Sequence, residues 1–249
     1  MRFLVDLHTH TVASDHAYST IMDYFNYASE IGVQMFACTD HGPAVPDAPH
    51  KWHFRNLRVV PHIVKDVAML RGVEANIIPS GGLDVEDEIL QRLDIVLAGF
   101  HPNYTPTTKE EHTRLMIDVI KSGKVDVITH PGNPAYPIDI EAVLTCAKEH
   151  NVAIELNSSS SVNTRMGSHH NCVEVARMAK KLGNIIALGT DAHFVTYLAN
   201  FDESIRVIEE AEMGYDNILN TSPAKVLDFL ESRGHEPIAS LRRFFTPYE

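Results

Sequence analysis

Residues 3–10 read Phe-Leu-Val-Asp-Leu-His-Thr-His, a short apolar run that breaks into alternating imidazoles. Phe3–Leu7 has the length and side-chain bulk of a buried strand. His8 and His10 follow two residues apart, so strand-end alternation turns both rings to the same side, where they can chelate one ion. The same kind of run recurs at Met35–Thr39, Met69–Val73, Ile95–Phe100, Val125–Thr129, Val152–Leu156 and Ile185–Leu188. Nearly all are uniformly apolar, as burial on both faces of a parallel sheet requires.

The segments between the runs carry a helical period. Ile140, Val143, Leu144 and Ala147 stand at i, i+3, i+4 and i+7, and Cys172, Val175, Ala176 and Ala179 repeat that spacing. Thr108 with Glu111 reads as a capping box opening a helix that Gly123 closes, and Ser222-Pro223 starts a last helix ending near Gly234. Alternation of strand and helix predicts an α/β fold built from βα units. Seven units in 249 residues fall one short of a (β/α)8 barrel, which favours a distorted, TIM-like (β/α)7 barrel. A doubly wound open sheet is the alternative, although no GxGxxG follows the first run. With no internal repeat or linker, residues 1–249 read as one domain, and 42–56, with three prolines and the only tryptophan, as a long ordered loop.

Composition narrows the function. Lys plus Arg number 21 against 33 for Asp plus Glu, a formal charge of -12 that would repel a polyphosphate backbone and argues against an extended nucleic-acid surface. Cys38, Cys146 and Cys172 form no CxxC pair, which fits a reducing cytoplasm. Neither a signal peptide nor an apolar stretch of about 18 residues is present, so export and membrane insertion are not expected. Histidine, by contrast, occurs 15 times, and imidazole is the side chain most often recruited to metals.

Six of the seven runs end in a group able to bind a metal: His8 and His10, Asp40-His41, Glu74, His101, His130, and Asp191 with His193. A single strand-end histidine is usually solvated or satisfied locally, but that reading would have to hold independently six times. In a parallel barrel all of these positions converge on one mouth, where barrel enzymes keep their chemistry.

The motifs DLHTHT (6–11), TDHG (39–42), GVEAN (72–76), AGFH (98–101), ITHPGNP (128–134) and GTDAH (189–193) together resemble the PHP (polymerase and histidinol phosphatase) superfamily. The pattern is most like its YcdX-type phosphatases, a likeness that extends to AYST (17–20), DAPHKWHF (47–54) and SPAKVLDFLESRG (222–234). The resemblance implies a distorted (β/α)7 barrel with three metal ions, usually zinc, that hydrolyses phosphate esters. It implies His8, His10, Glu74 and Asp191 around one ion, His16, His41 and His193 around a second, and Glu74, His101 and His130 around a third. Nitrogen with carboxylate donors suits Zn2+, with Fe or Mn as alternatives, and Glu74 has the two oxygens a bridge needs. Glu74, Asp191 and His193 are then expected to act in catalysis through a metal-activated water. Three divalent cations would place about +6 at the mouth, enough to draw a small phosphorylated substrate to an acidic chain.

Arg165, in the stretch NTRMGS, is expected either to hold phosphate oxygens or to be an ordinary surface arginine. Asp6 and Asp40 are expected to orient imidazoles or to be plain strand-end carboxylates, and Asp15 to be solvated. Glu155 could accept a proton or bind a loop, Asn157 could contact substrate, and His50, Trp52, His53 and Phe54 could line the pocket or pack the loop. His62, His112, His150, His169, His170 and His235 are expected at the surface. Competing functions are an amidohydrolase, which would need a bridging lysine absent from the strand ends; a PHP-type exonuclease or phosphodiesterase; and a non-catalytic metal-binding regulatory barrel.

Overall fold

The computed structural model describes residues 2–160 and 165–245. Eight strands form among the described residues: β1 (Val5–Thr9), β2 (Met35–Cys38), β3 (Ile63–Val64), β4 (Val67–Asn76), β5 (Ile95–Gly99), β6 (Val127–Ile128), β7 (Ala153–Asn157) and β8 (Ile186–Gly189). Seven of them run parallel in the order β1-β2-β4-β5-β6-β7-β8. The two ends then meet. Thr9 bridges Ala192 in parallel, the His10 amide donates to the Ala192 carbonyl at 2.9 Å, and the Asp191 amide donates to the His8 carbonyl at 2.9 Å. The Tyr24 hydroxyl clasps this seam from the first helix (Ile21–Ile31), within reach of the His10 and Ala192 carbonyls at 2.8 and 2.7 Å. The result is a nearly closed seven-stranded barrel rather than a doubly wound open sheet.

Alternation along the strands explains the closure. One apolar cluster takes alternate residues from all seven parallel strands (Val5, Leu7, Met35, Ala37, Ala68, Leu70, Ile95, Leu97, Val127, Ala153, Ala187) and fills the barrel. Leu227, Leu230 and Leu241 belong to the same cluster and cover it at one end. The intervening residues, such as Phe36, Met69, Val96, Ile128, Ile154 and Leu188, pack outward in a second cluster with the helices. Burial on both faces is why the runs carry almost no polar residues.

The helical stripes pack as the period requires: Val143, Leu144 and Ala147 are buried on the helix Ile140–Glu149, and Cys172, Val175, Ala176 and Ala179 on the helix His169–Leu182. Thr108 caps Lys109–Lys121 by accepting from the Glu111 amide, but the Glu111 carboxylate turns to Arg114, so only half of the capping box forms. The helix opened by Ser222-Pro223 spans Pro223–Ser232 and is not the last; Ala239–Phe245 follows it. β3 is a further addition, an antiparallel hairpin with β4 turning through Lys65 and Asp66, both at positive φ. The loop at 42–56 ends in a short helix, Trp52–Asn56, whose Phe54 is buried in the core. His112 corrects the expectation of a surface residue: it is fully buried against Phe100, Tyr104 and Tyr136, its Nε2 accepting from the Thr107 amide and its Nδ1 donating to the Pro137 carbonyl. No helix among the described residues is long and apolar enough to cross a membrane.

Candidate metal centre

The strand ends bring the expected side chains together at the C-terminal mouth. Glu74 lies inside β4 rather than past its end, and its carboxylate is the hub. Oε1 is 2.9 Å from His130 Nε2 and 3.1 Å from His101 Nε2; Oε2 is 3.0 Å from His41 Nδ1 and 3.2 Å from His8 Nε2. On the β1–β8 side, His10 Nε2 stands 3.0 Å from His8 Nε2 and 3.0 Å from Asp191 Oδ1. Three sets of donor atoms lie close enough to share an ion: His8, His10 and Asp191; His10, His41 and His193; and His41, Glu74 and His101. These overlap the sets implied by the resemblance but divide differently, with His10 and His41 each serving two. His130 reaches only the Glu74 edge. His16 is exposed at the rim, its ring centroid 4.7 Å from that of His193 and 5.1 Å from that of His41.

The donor set fits divalent cations. Of the atoms that face the centre, His41 Nδ1, His101 Nε2, Glu74 Oε2 and Asp191 Oδ1 are buried without a hydrogen-bond partner. Buried carboxylate and imidazole atoms left in that state cost several kcal/mol unless a cation satisfies them. Charge is distributed accordingly. Burial would raise the Glu74 carboxyl, but His101, His8 and His130 hold it well below the usual carboxylate range. Asp191 is likewise held well down against its burial, by Arg165, His8 and His10. Burial, reinforced by His41 and His193, lowers His10 and keeps its lone pair free. His8 is pushed up against its burial by Glu74, Glu155 and Asp191, the three carboxylates around its ring.

A surrounding layer fixes these groups. Glu155 Oε1 is 2.6 Å from His8 Nδ1, and because a carboxylate only accepts, Nδ1 holds the proton and Nε2 is left facing the centre. Glu155 Oε2 accepts from the His130 amide at 2.8 Å and from Asn157 Nδ2 at 3.1 Å. Glu155 is therefore an orienting carboxylate, and Asn157, which also reaches Asp191 Oδ2 at 3.4 Å, braces the same network. Two glycines make room: a Cβ at Gly189 would collide with the Glu155 carboxylate, and one at Gly99 would meet His130 Cε1 at 2.8 Å. His130 and Asp191 have φ of 33° and 55°, left-handed conformations that non-glycine residues hold only where the surroundings impose them, as at functional sites.

Other assignments change. Asp6 orients no imidazole; it accepts from the Thr190 and Ala199 amides and ties β1 to the chain beyond β8, with burial raising its carboxyl to about 6. Asp40 accepts from the Thr11 amide and from the Thr11 and Ser14 hydroxyls, and it faces His53 Nε2 at 3.1 Å. Burial works against the Asp40 charge, yet His53, His10 and the Thr11 amide bring its carboxyl down to about 2. His53 thus braces Asp40, while His50 and Trp52 are exposed, as is Asp15. Arg165 is no ordinary surface arginine: its guanidinium pairs with Asp191 Oδ2. Residues 163 and 164 of the same stretch lie outside the described residues. Asp47, to which the sequence analysis gives no role beyond its place in DAPHKWHF, contacts His16.

No family model matches the chain. Whole-chain relatives do. The chain is 53% identical over 248 residues to a protein of Shewanella sp. (strain MR-4) named a probable phosphatase, covering 99% of this chain and 98% of the relative. It is 54% identical over 241 residues to a probable phosphatase of Shewanella oneidensis, covering 96% of each. Among solved structures, the histidinol phosphate phosphatase of Lactococcus lactis, crystallised with zinc, L-histidinol and phosphate, shares the fold at a TM-score of 0.64 and 18% identity, over 86% of this chain and 95% of that one. With its strand-end motifs gathered at one mouth and relatives matching it end to end, the chain belongs to the family of these probable phosphatases, on a fold it shares with a histidinol phosphate phosphatase.

Proposed function

We propose that this protein is a metal-dependent phosphoesterase that hydrolyses small phosphomonoesters at a trinuclear centre, the whole chain acting as one hydrolase domain. The observation that carries the reading is Glu74, whose two buried oxygens are contacted by imidazoles from four other strand ends, the arrangement a bridging carboxylate requires. His8, His10, His16, His41, Glu74, His101, His130, Asp191 and His193 would hold the ions, zinc by donor type with iron or manganese as alternatives. Such ions supply a lowered pKa for water and neutralise charge on the phosphoryl and leaving oxygens.

The protein's own groups do the rest. Glu155 keeps His8 in one tautomer, so its Nε2 faces inward throughout. Arg165, on the Asp191 side of the mouth, offers a planar fork to two phosphate oxygens and can exchange its carboxylate partner for the substrate. His193 is the least buried of the three imidazoles in its group, and its Nδ1 is engaged with the Asp191 carbonyl at 2.9 Å, which leaves Nε2 as its free donor. Burial of the three cysteines as free thiols supports a reducing compartment such as the cytoplasm.

Phosphate release from a panel of small phosphomonoesters by the zinc-loaded protein tests this reading. Turnover is expected, to be abolished by a chelator, restored by zinc and lost in Glu74→Ala with circular dichroism unchanged. Stoichiometric zinc without hydrolysis of any ester would replace the enzyme with a binding barrel.

A further inference from the structure

His16 is the one candidate ligand that does not come from a strand end. It projects from the loop after β1 and is 41% exposed, where Glu74, His8 and His10 are buried. Its position is set from another loop. His16 Nδ1 lies 2.6 Å from Asp47 Oδ2, and the Asp15 amide donates to the Asp47 carbonyl at 3.0 Å, so the loop after β2 grips the loop after β1 through both side chain and backbone. That second loop is itself anchored: Asp84 accepts from the Ala44 amide at 2.8 Å, and Lys51 pairs with Glu86 at 2.7 Å.

We infer that Asp47 is the positioning residue for the outermost cation of the centre, the one that His16, its ring centroid 5.1 Å from that of His41 and 4.7 Å from that of His193, would help to hold. The inference rests on the metal reading above. The carboxylate can only accept, so the proton of a neutral His16 ring sits on Nδ1 and its lone pair on Nε2, the same device by which Glu155 sets His8. The two anchors differ in surroundings. Glu155 is 2% exposed and belongs to a strand; Asp47 is 38% exposed and belongs to a loop. The outer position is therefore assembled by a contact between two loops, while the inner positions are built into the barrel. Its ion is the one that exchanges most readily with solvent, and Asp47 governs its occupancy without touching it.

Zinc titration of the apo protein, read as stoichiometry and affinity by equilibrium dialysis with elemental analysis, tests this. The parent protein is expected to bind three ions. Asp47→Ala should keep two at parental affinity and bind the third about 10–100-fold more weakly, the usual cost of losing a carboxylate behind a ligating histidine. Asp47→Asn, whose side-chain oxygen still accepts from Nδ1–H, should recover most of the loss, and unchanged circular dichroism in both variants shows that the fold is kept. Unaltered binding of all three ions in Asp47→Ala, or equal weakening of all three, would overturn the inference alone. A parent protein that takes up no zinc would overturn the metal reading and this inference with it.

Discussion

At the scale of single residues, the centre depends on atoms that have no room to move. Gly189 is the sharpest case. A methyl group there would press on the Glu155 carboxylate and lie 2.5 Å from the His8 Cβ, both of which are fully packed. Gly189→Ala is expected to destabilise the protein by about 1–3 kcal/mol, as overpacking of a filled core does. By displacing the Glu155–His8 pair it should also lower phosphate release about 10–100-fold. Urea unfolding and steady-state assay of one preparation check both, and a variant with parental stability and activity would show that the His8–Glu155 contact is dispensable. The candidate ligand positions, His16 excepted, are legible in the sequence because each lies at or just past the end of an apolar run, so chain position alone places it near a strand end. Glu155 and Asp47 were not legible in the same way. Their partners lie 147 and 31 residues away, and which imidazole a carboxylate meets is decided by how the strands and loops assemble.

Elements were read well where the hydrophobic period was long and poorly where it was short. All seven buried runs became parallel strands, because two-sided burial leaves an unmistakable composition. The two-residue strand β3 is shorter than any periodicity, and its turn is made by Lys65-Asp66 without the Asn-Gly signal of a tight hairpin. The helix Ala239–Phe245 has one buried residue, Leu241, and so shows no stripe. Its approach is pinned by His235, whose Nε2 is 2.9 Å from Asp126 Oδ1 just ahead of β6. The hydrogen bond and charge of Asp126 raise His235 above its ordinary 6.5 against partial burial. A histidine raised on folding contributes stability that is fully present below its unfolded pKa and is lost as pH rises through the folded value. Parent protein should thus exceed His235→Ala in unfolding free energy at about pH 6, with the gap narrowing towards about pH 9. Urea denaturation across that range measures it, and a gap independent of pH would remove the charged pair from the account of this end of the barrel.

Over the whole molecule, the barrel converts order along the chain into proximity. Side chains from position 8 to position 193 meet at one mouth because parallel strands all end on the same side and the β1–β8 seam closes the ring. That convergence is legible in the sequence, since it follows from topology. How the donors fall into groups is not legible from topology: His10 and His41 each stand in two, a matter of a few ångströms in how the rings tilt. The -12 charge of the chain fits the same picture, because bound cations would supply the positive field that an anionic ester needs. The most direct measurement is anomalous diffraction at the zinc absorption edge from crystals of the zinc-loaded protein. Three peaks are expected, all inside the ring of His8, His10, His16, His41, Glu74, His101, His130, Asp191 and His193, with Glu74 touching at least two of them. No peak there, or zinc found only on surface histidines such as His169 and His170, would contradict it.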